Sequence, residues 1–141
     1  MWNINVRPYG EYFAKAQAVT TAAVAGNQAA NNPTRLENAQ GGTGIRVCTP
    51  VDGALTIAAG ATITLTVEHA DTETGTFTVL GTAVTTGETG GSTIAGDKVV
   101  TEFILPTVAK PFIRVKIAGS AAPTGTVDIF PFYISRPPAT R

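Results

Sequence analysis

The chain contains one histidine, one cysteine and one tryptophan in 141 residues, and charged residues make up only 14% of it. Each scarcity excludes something. A lone cysteine, Cys48, rules out an intramolecular disulfide framework and a multi-cysteine metal site. It stands in the strand-like Ile45–Thr49 and reads as a small buried hydrophobe. Ten Lys and Arg against ten Asp and Glu leave a formal charge of zero, which argues against nucleic-acid binding driven by phosphate contacts. No apolar run approaches the ~20 residues that span a bilayer. Met1-Trp2-Asn3 opens no signal peptide, because no charged start leads into an apolar stretch. The expectation is a soluble protein made in a cytoplasm, with neither nucleic acid nor membrane as partner.

What the chain does have is threonine at high density, 43% hydrophobic residues, 15 glycines and 9 prolines. Thr, Val and Ile are β-branched and fit a pleated surface, while Gly and Pro punctuate short strands. The length suits one domain with a real core. In Ala61–His69, Ile63, Leu65, Val67 and His69 fall on one face, with Thr62, Thr64, Thr66 and Glu68 on the other. That is a half-buried strand under a threonine surface. Ile45–Thr49, Phe77–Val84, Val99–Leu105, Phe112–Ile117 and Thr126–Ile134 read as further strands, and residues 16–25 favour a strand over an Ala-rich helix. Pro131 marks the last strand as an edge or a bulge. Asn27–Thr43 and Thr85–Asp97 read as loops. Seven or eight strands at regular intervals predict an all-β fold, a jelly-roll or two-sheet antiparallel β-sandwich. An extended N-terminal arm (1–15) precedes this domain (16–135), and a short tail (136–141) follows it.

The charges are segregated along the chain. Asp52, Glu68, Asp71, Glu73, Glu88 and Asp97 occupy a stretch without Lys or Arg, and the bases gather after residue 97. Two readings are open: interleaved strands that mix the charges in space, or a bipolar module that docks on a charged surface. The arm holds the only Trp and two of the three Tyr. Such residues either fold back onto the core or form interface hot spots.

Catalysis needs residues this chain barely has. His69 sits on the apolar face of a strand and reads as a neutral, hydrogen-bonded histidine. Alternation sends Glu68 to the opposite face, so Glu68-His69-Ala70-Asp71 does not read as a metal cluster. Asp71–Gly75 lacks the spaced carboxylates of a calcium loop and reads as a hairpin tip. Gly41-Gly42-Thr43-Gly44 lacks the lysine of a phosphate loop, and no serine lies in a nucleophile elbow. Glu68, Glu102 and Asp128 could be arranged as a glycosidase pair, but ten acids on any sandwich would offer some such pair. Phe77, Phe103, Phe112, Phe130 and Phe132 read as core. No cofactor, metal site or catalytic residue is expected, and the chain is not read as an enzyme.

The order of segments carries a resemblance. "FAKAQAVTTAAVAGN" (Phe13–Asn27) is followed by "LTIAAGATITLTVEHADTETGTFTVLGT" (Leu55–Thr82) and "VVTEFILPTVAKPFIRVKIAGSAAPTGTVDIFPFYIS" (Val99–Ser135). In this the chain resembles the capsid cement, or head decoration, proteins of tailed phages, in particular the Bbp16-like family. The resemblance implies a jelly-roll protein on the exterior of the virion, made in the host bacterial cytoplasm. Its partners would be the major capsid protein and itself, as a homodimer or small homo-oligomer. The arm Met1–Tyr12 and the polar segment Asn27–Gly44 depart from the family pattern. The expected contacts are Trp2, Arg7, Tyr9 and Tyr12 in the arm and Arg136 and Arg141 in the tail. The alternative is a carbohydrate-binding or adhesin-like module of a phage tail or surface structure, which needs exposed aromatics on a concave sheet. A hydrolase built on a jelly roll is a third reading, and requires His69 and two carboxylates to converge.

Overall fold

The computed structural model describes residues 12–28, 34–35 and 43–133, and its regular structure is all strand. In chain order the strands are β1 (Ala14–Ala18), β2 (Val24–Ala25), β3 (Thr34–Arg35), β4 (Thr43–Cys48), β5 (Ala54–Ile57) and β6 (Thr62–Ala70). They continue as β7 (Thr78–Thr86), β8 (Ser92–Ala95), β9 (Val99–Ile104), β10 (Phe112–Gly119) and β11 (Thr124–Tyr133). All pairings are antiparallel and form two sheets. One has the order β8-β5-β11-β4-β9 with β1 also on β11; the other has the order β2-β10-β6-β7 with β3 also on β10.

Several of these segments are pieces of one longer strand. Only three residues join β8 to β9, and across the break the Thr49 N–H donates to Lys98 O and the Gly96 N–H to Gly53 O. Strand β5 therefore continues the line of β4, and β8 that of β9. At this junction Gly125 of β11 has φ +115°, and a Cβ there would collide with Ala54 O, so the close crossing requires glycine. With the pieces joined, one sheet reads β1, β11, β4/β5, β9/β8 and the other β2/β3, β10, β6, β7. Eight strands in that order, with sequential strands alternating between sheets except for the β6–β7 hairpin, are a jelly roll. The fold class expected from sequence is the one observed.

Alternation builds the core. Ile63, Leu65 and Val67 of β6 and Ile113, Val115 and Ile117 of β10 meet Ile45, Val47, Val127 and Ile129 of the facing sheet. At roughly 25 cal/mol per Å² of apolar surface buried, this shared interior is the main driving force of folding.

Four expectations need correction. Phe13 and Ala14 are fully buried and β1 starts at Ala14, so the end of the segment read as an arm belongs to the sandwich. Ala54–Ile57 and Ser92–Ala95 are strands where the turn and loop signals of Asp52-Gly53 and Thr85–Asp97 were dominant. Pro131 lies neither on an edge strand nor in a bulge: β11 runs between β1 and β4, and Pro131 pairs in register with Ile45. The reason is local. Ile129 O accepts from the Phe13 N–H, so odd residues of β11 face β1, and Pro131 lies beyond the point where β1 begins. Among the described residues no strand pairs with β11 on the side of its missing N–H. Lastly, of the five phenylalanines only Phe103 packs against the core between the sheets; Phe130 is fully buried outside that cluster, and Phe77, Phe112 and Phe132 are half-buried.

A tight corner ties β1 to the rest. Ala16 has φ 47° within a β-bulge, an unusual conformation for a residue with a Cβ. Its N–H donates to the Asp128 carboxylate at 2.7 Å. Buried Gln17 donates to Ala25 O at 3.1 Å and accepts from the Asn27 N–H at 2.7 Å. Asn27 in turn brackets Lys15, accepting its N–H and donating to its carbonyl, both at 2.9 Å.

Candidate functional site

On β4 all six residues are buried. Ile45 and Val47 point into the core, so Gly44, Arg46 and Cys48 point outward and are buried nonetheless. The Arg46 guanidinium lies 4.0 Å from the centre of the Phe132 ring, and its Nε donates to Glu102 Oε2 at 3.0 Å. Stacking on an aromatic face and bonding a carboxylate are what a planar guanidinium does well. Phe130 sits opposite Arg46 in the β11–β4 register, and Asp128 opposite Cys48. Cys48 is fully buried and forms no disulfide, as its place in an apolar strand suggests.

Of the six residues expected to make contacts, Trp2, Arg7, Tyr9, Arg136 and Arg141 lie outside the described residues. Tyr12 is described. It is half-buried, its ring 5.5 Å from that of Phe130 at a tilt of 46°, with the Lys15 ammonium 5.5 Å from its own centroid. At this position the aromatic folds back onto the domain's own sheet.

The outer face of the second sheet is built differently. Thr62, Thr64 and Thr66 of β6 are half-exposed and stand beside Thr86, Val84 and Thr82 of β7 in register. Toward the other end of β6, the Glu68 carboxylate accepts from Arg114 Nε at 2.6 Å and lies 3.8 Å from Lys116 Nζ. The Arg114 guanidinium covers the Phe77 ring at 4.4 Å, and Lys110 Nζ lies 3.3 Å from Asp71 Oδ2. The acidic middle of the chain thus meets its basic last third across the β6–β10 pairing. Among the described residues the charges mix in space, and the bipolar reading is set aside.

His69 lies opposite Ile113, on the inward side of β6, whereas Glu68 opposes Arg114. Its Nδ1 accepts the Lys110 backbone N–H at 3.1 Å, which places the ring proton of the neutral form on Nε2. Burial, and next the Lys110 charge, push its pKa below the ordinary histidine value, with Asp71 opposing. A neutral histidine held by a backbone donor fits these facts. Glu68 lies on one sheet and Glu102 on the other, each engaged by an arginine, while Asp128 holds the Ala16 N–H. Among the described residues no group of three His, Cys, Asp or Glu side chains converges in a way that could hold a metal. At Asp71–Gly75 the chain makes an exposed tip closed by the Gly75 N–H on Thr72 O.

The Arg46–Phe132–Glu102 assembly is absent from the expectations drawn above. The one signal for it was an arginine inside an otherwise apolar strand, and its partners come from two distant strands. Among the described residues no helix is long and apolar enough to cross a membrane. No family model matches the chain, and no curated protein matches it.

Proposed function

We propose that this protein decorates the outside of a tailed-phage capsid and reinforces it by bridging major capsid protein subunits. The carrying observation is where the resemblance falls. Its segments Phe13–Asn27, Leu55–Thr82 and Val99–Ser135 take in β1 and β2, most of β5, β6 and the first half of β7, and β9 to β11, so the likeness falls on strands of both sheets. A cement protein needs a rigid body that holds two neighbours, and many modest contacts on a repetitive lattice act together. A stiff sandwich with a sparsely charged threonine surface suits that work. The virion exterior as location, and partnership with itself, belong to the same proposal.

The test is binding of the purified protein to expanded, mature shells that lack it. Saturable co-sedimentation is the expected result, and absence of binding would sink the proposal.

The carbohydrate-binding alternative calls for aromatic faces open to a sugar ring. Phe77 and Phe132 each carry a guanidinium on one face, which weakens that reading. Specific hits on a glycan array would revive it.

A further inference from the structure

Strand β7 is an edge of its sheet, pairing with β6 alone among the described residues. It is nine residues long, TVLGTAVTT, and carries neither charge nor proline. Natural edges are usually blunted by charge, proline, bulges or brevity. The other edges here follow that rule: β2 and β3 are two residues each, β8 is four, β1 is bulged at Ala16, and β9 carries Glu102. On β7 a bulge opposite Val67/Glu68 disturbs only the start, leaving Gly81–Thr86 regular.

The Gly87 N–H donates to Ala61 O, which sets the phase of the ladder. Gly81, Ala83 and Thr85 bond to β6, and Thr82, Val84 and Thr86 turn their N–H and C=O groups away from it. All three residues are exposed, Val84 at 55%. The edge is also held from beneath. Thr85 Oγ1 donates to Val100 O of the facing sheet at 2.6 Å. The Phe103 ring sits so close under Gly81 that a Cβ there would lie 2.6 Å from it. An edge fixed before its partner arrives loses little conformational freedom on binding.

We infer that this edge receives an extended segment of a different protein as an added strand, one with an uncharged, β-branched centre and a Lys or Arg at its end. Outward backbone donors and acceptors that repeat about every 6.8 Å match one chemistry, an extended polypeptide. Thr82, Val84 and Thr86 set the centre, because β-branched side chains pack well beside them across a strand pair. Charge sets the end. Glu73 before the strand and Glu88 after it are exposed, and neither has an ion-pair partner among the described residues. The bases Arg114 and Lys116 stand two strands away on β10, beside Glu68. Glu88 also lines an open depression of about 370 Å³ together with Thr85, Thr86, Ser92 and Thr93, whose oxygens can accept from an ammonium or guanidinium. The β7 edge of a second copy would bring the same acids to this one, so charge favours a different partner.

The experiment is titration of the full chain with a fluorescent peptide of alternating Thr and Val that ends in Lys, followed by amide exchange in the complex. Saturable binding is expected, with exchange slowed at Thr82, Val84 and Thr86 once the peptide is bound. Val84→Pro removes an outward N–H and leaves the β6 ladder its donors. It should weaken binding by on the order of tenfold or more. Glu88→Lys should weaken it by roughly fivefold or more and turn the preference to the same peptide ending in Glu. That variant carries the test should Val84→Pro fail to fold. A peptide that does not bind, variants that bind it like the parent, or three amides that stay fast in its presence would each overturn the inference. So would a chain that self-associates and protects those amides without peptide, since a second copy would then fill the edge. No shell enters the measurement, so this inference and the capsid reading fail separately.

Discussion

On β4 the residues that point away from the core, Gly44, Arg46 and Cys48, are as buried as those that point into it, whereas on β6 Thr62, Thr64 and Thr66 stay half-exposed. The first sheet thus has a second packed layer on its outside, made of Tyr12, Phe130, Phe132 and an arginine held by Glu102. The second sheet has a hydroxyl-rich surface with one charged cluster around Glu68. Packing commits the first outer face to stability. The outer face and edge of the second sheet are open to a partner.

That contrast sets the order of expected effects. Phe130→Ala empties a fully buried site and should cost about 3–5 kcal/mol in chemical denaturation. A loss below about 1 kcal/mol would show that the outer layer of the first sheet packs loosely. Arg46→Ala removes both the stack on Phe132 and the bond to Glu102, and about 2 kcal/mol should be lost. Arg46→Lys should recover only part of it, because an ammonium lacks the planar fork. A full recovery would mean that charge alone mattered.

A smaller effect is expected at the rim of the second sheet. The pKa of His69 is lowered by burial, so the unfolded chain binds a proton more readily than the folded one. Stability from this group is complete above the unfolded value of about 6.5 and is lost as pH falls below it toward the lowered folded value. Denaturation midpoints should therefore decline below that pH, and His69→Asn should flatten the decline. Parallel profiles for the two proteins would contradict the burial of a neutral ring. Smallest of all, Thr66→Ala on the threonine surface should change stability by no more than about 0.5 kcal/mol.

The same contrast explains what could be read from sequence. Strict alternation in Ile63, Leu65 and Val67 identifies β6 because one face meets solvent and the other the core. In β4 both faces are buried, and Thr-Gly-Ile-Arg-Val-Cys carries no periodic cue that Arg46 is enclosed by Phe132 and Glu102. Strands β5 and β8 are four residues each and lie beside Gly-rich turns, so local turn chemistry outweighs the pairing that holds them. Pro131 misled for a tertiary reason: only the point where β1 begins tells that, among the described residues, no strand pairs on the side of its missing donor. Among the expected contact residues, Tyr12 shows how an aromatic near an arm can serve the domain itself, and no local pattern separates that use from docking.

The central claim is attachment to a viral shell, and the most direct measurement is co-sedimentation with expanded capsids assembled without this protein. The account predicts saturable binding at a fixed ratio to the major capsid protein, together with shells that withstand higher temperature or internal pressure once coated. A protein that stays in the supernatant at every concentration, with shells no more stable in its presence, would contradict it.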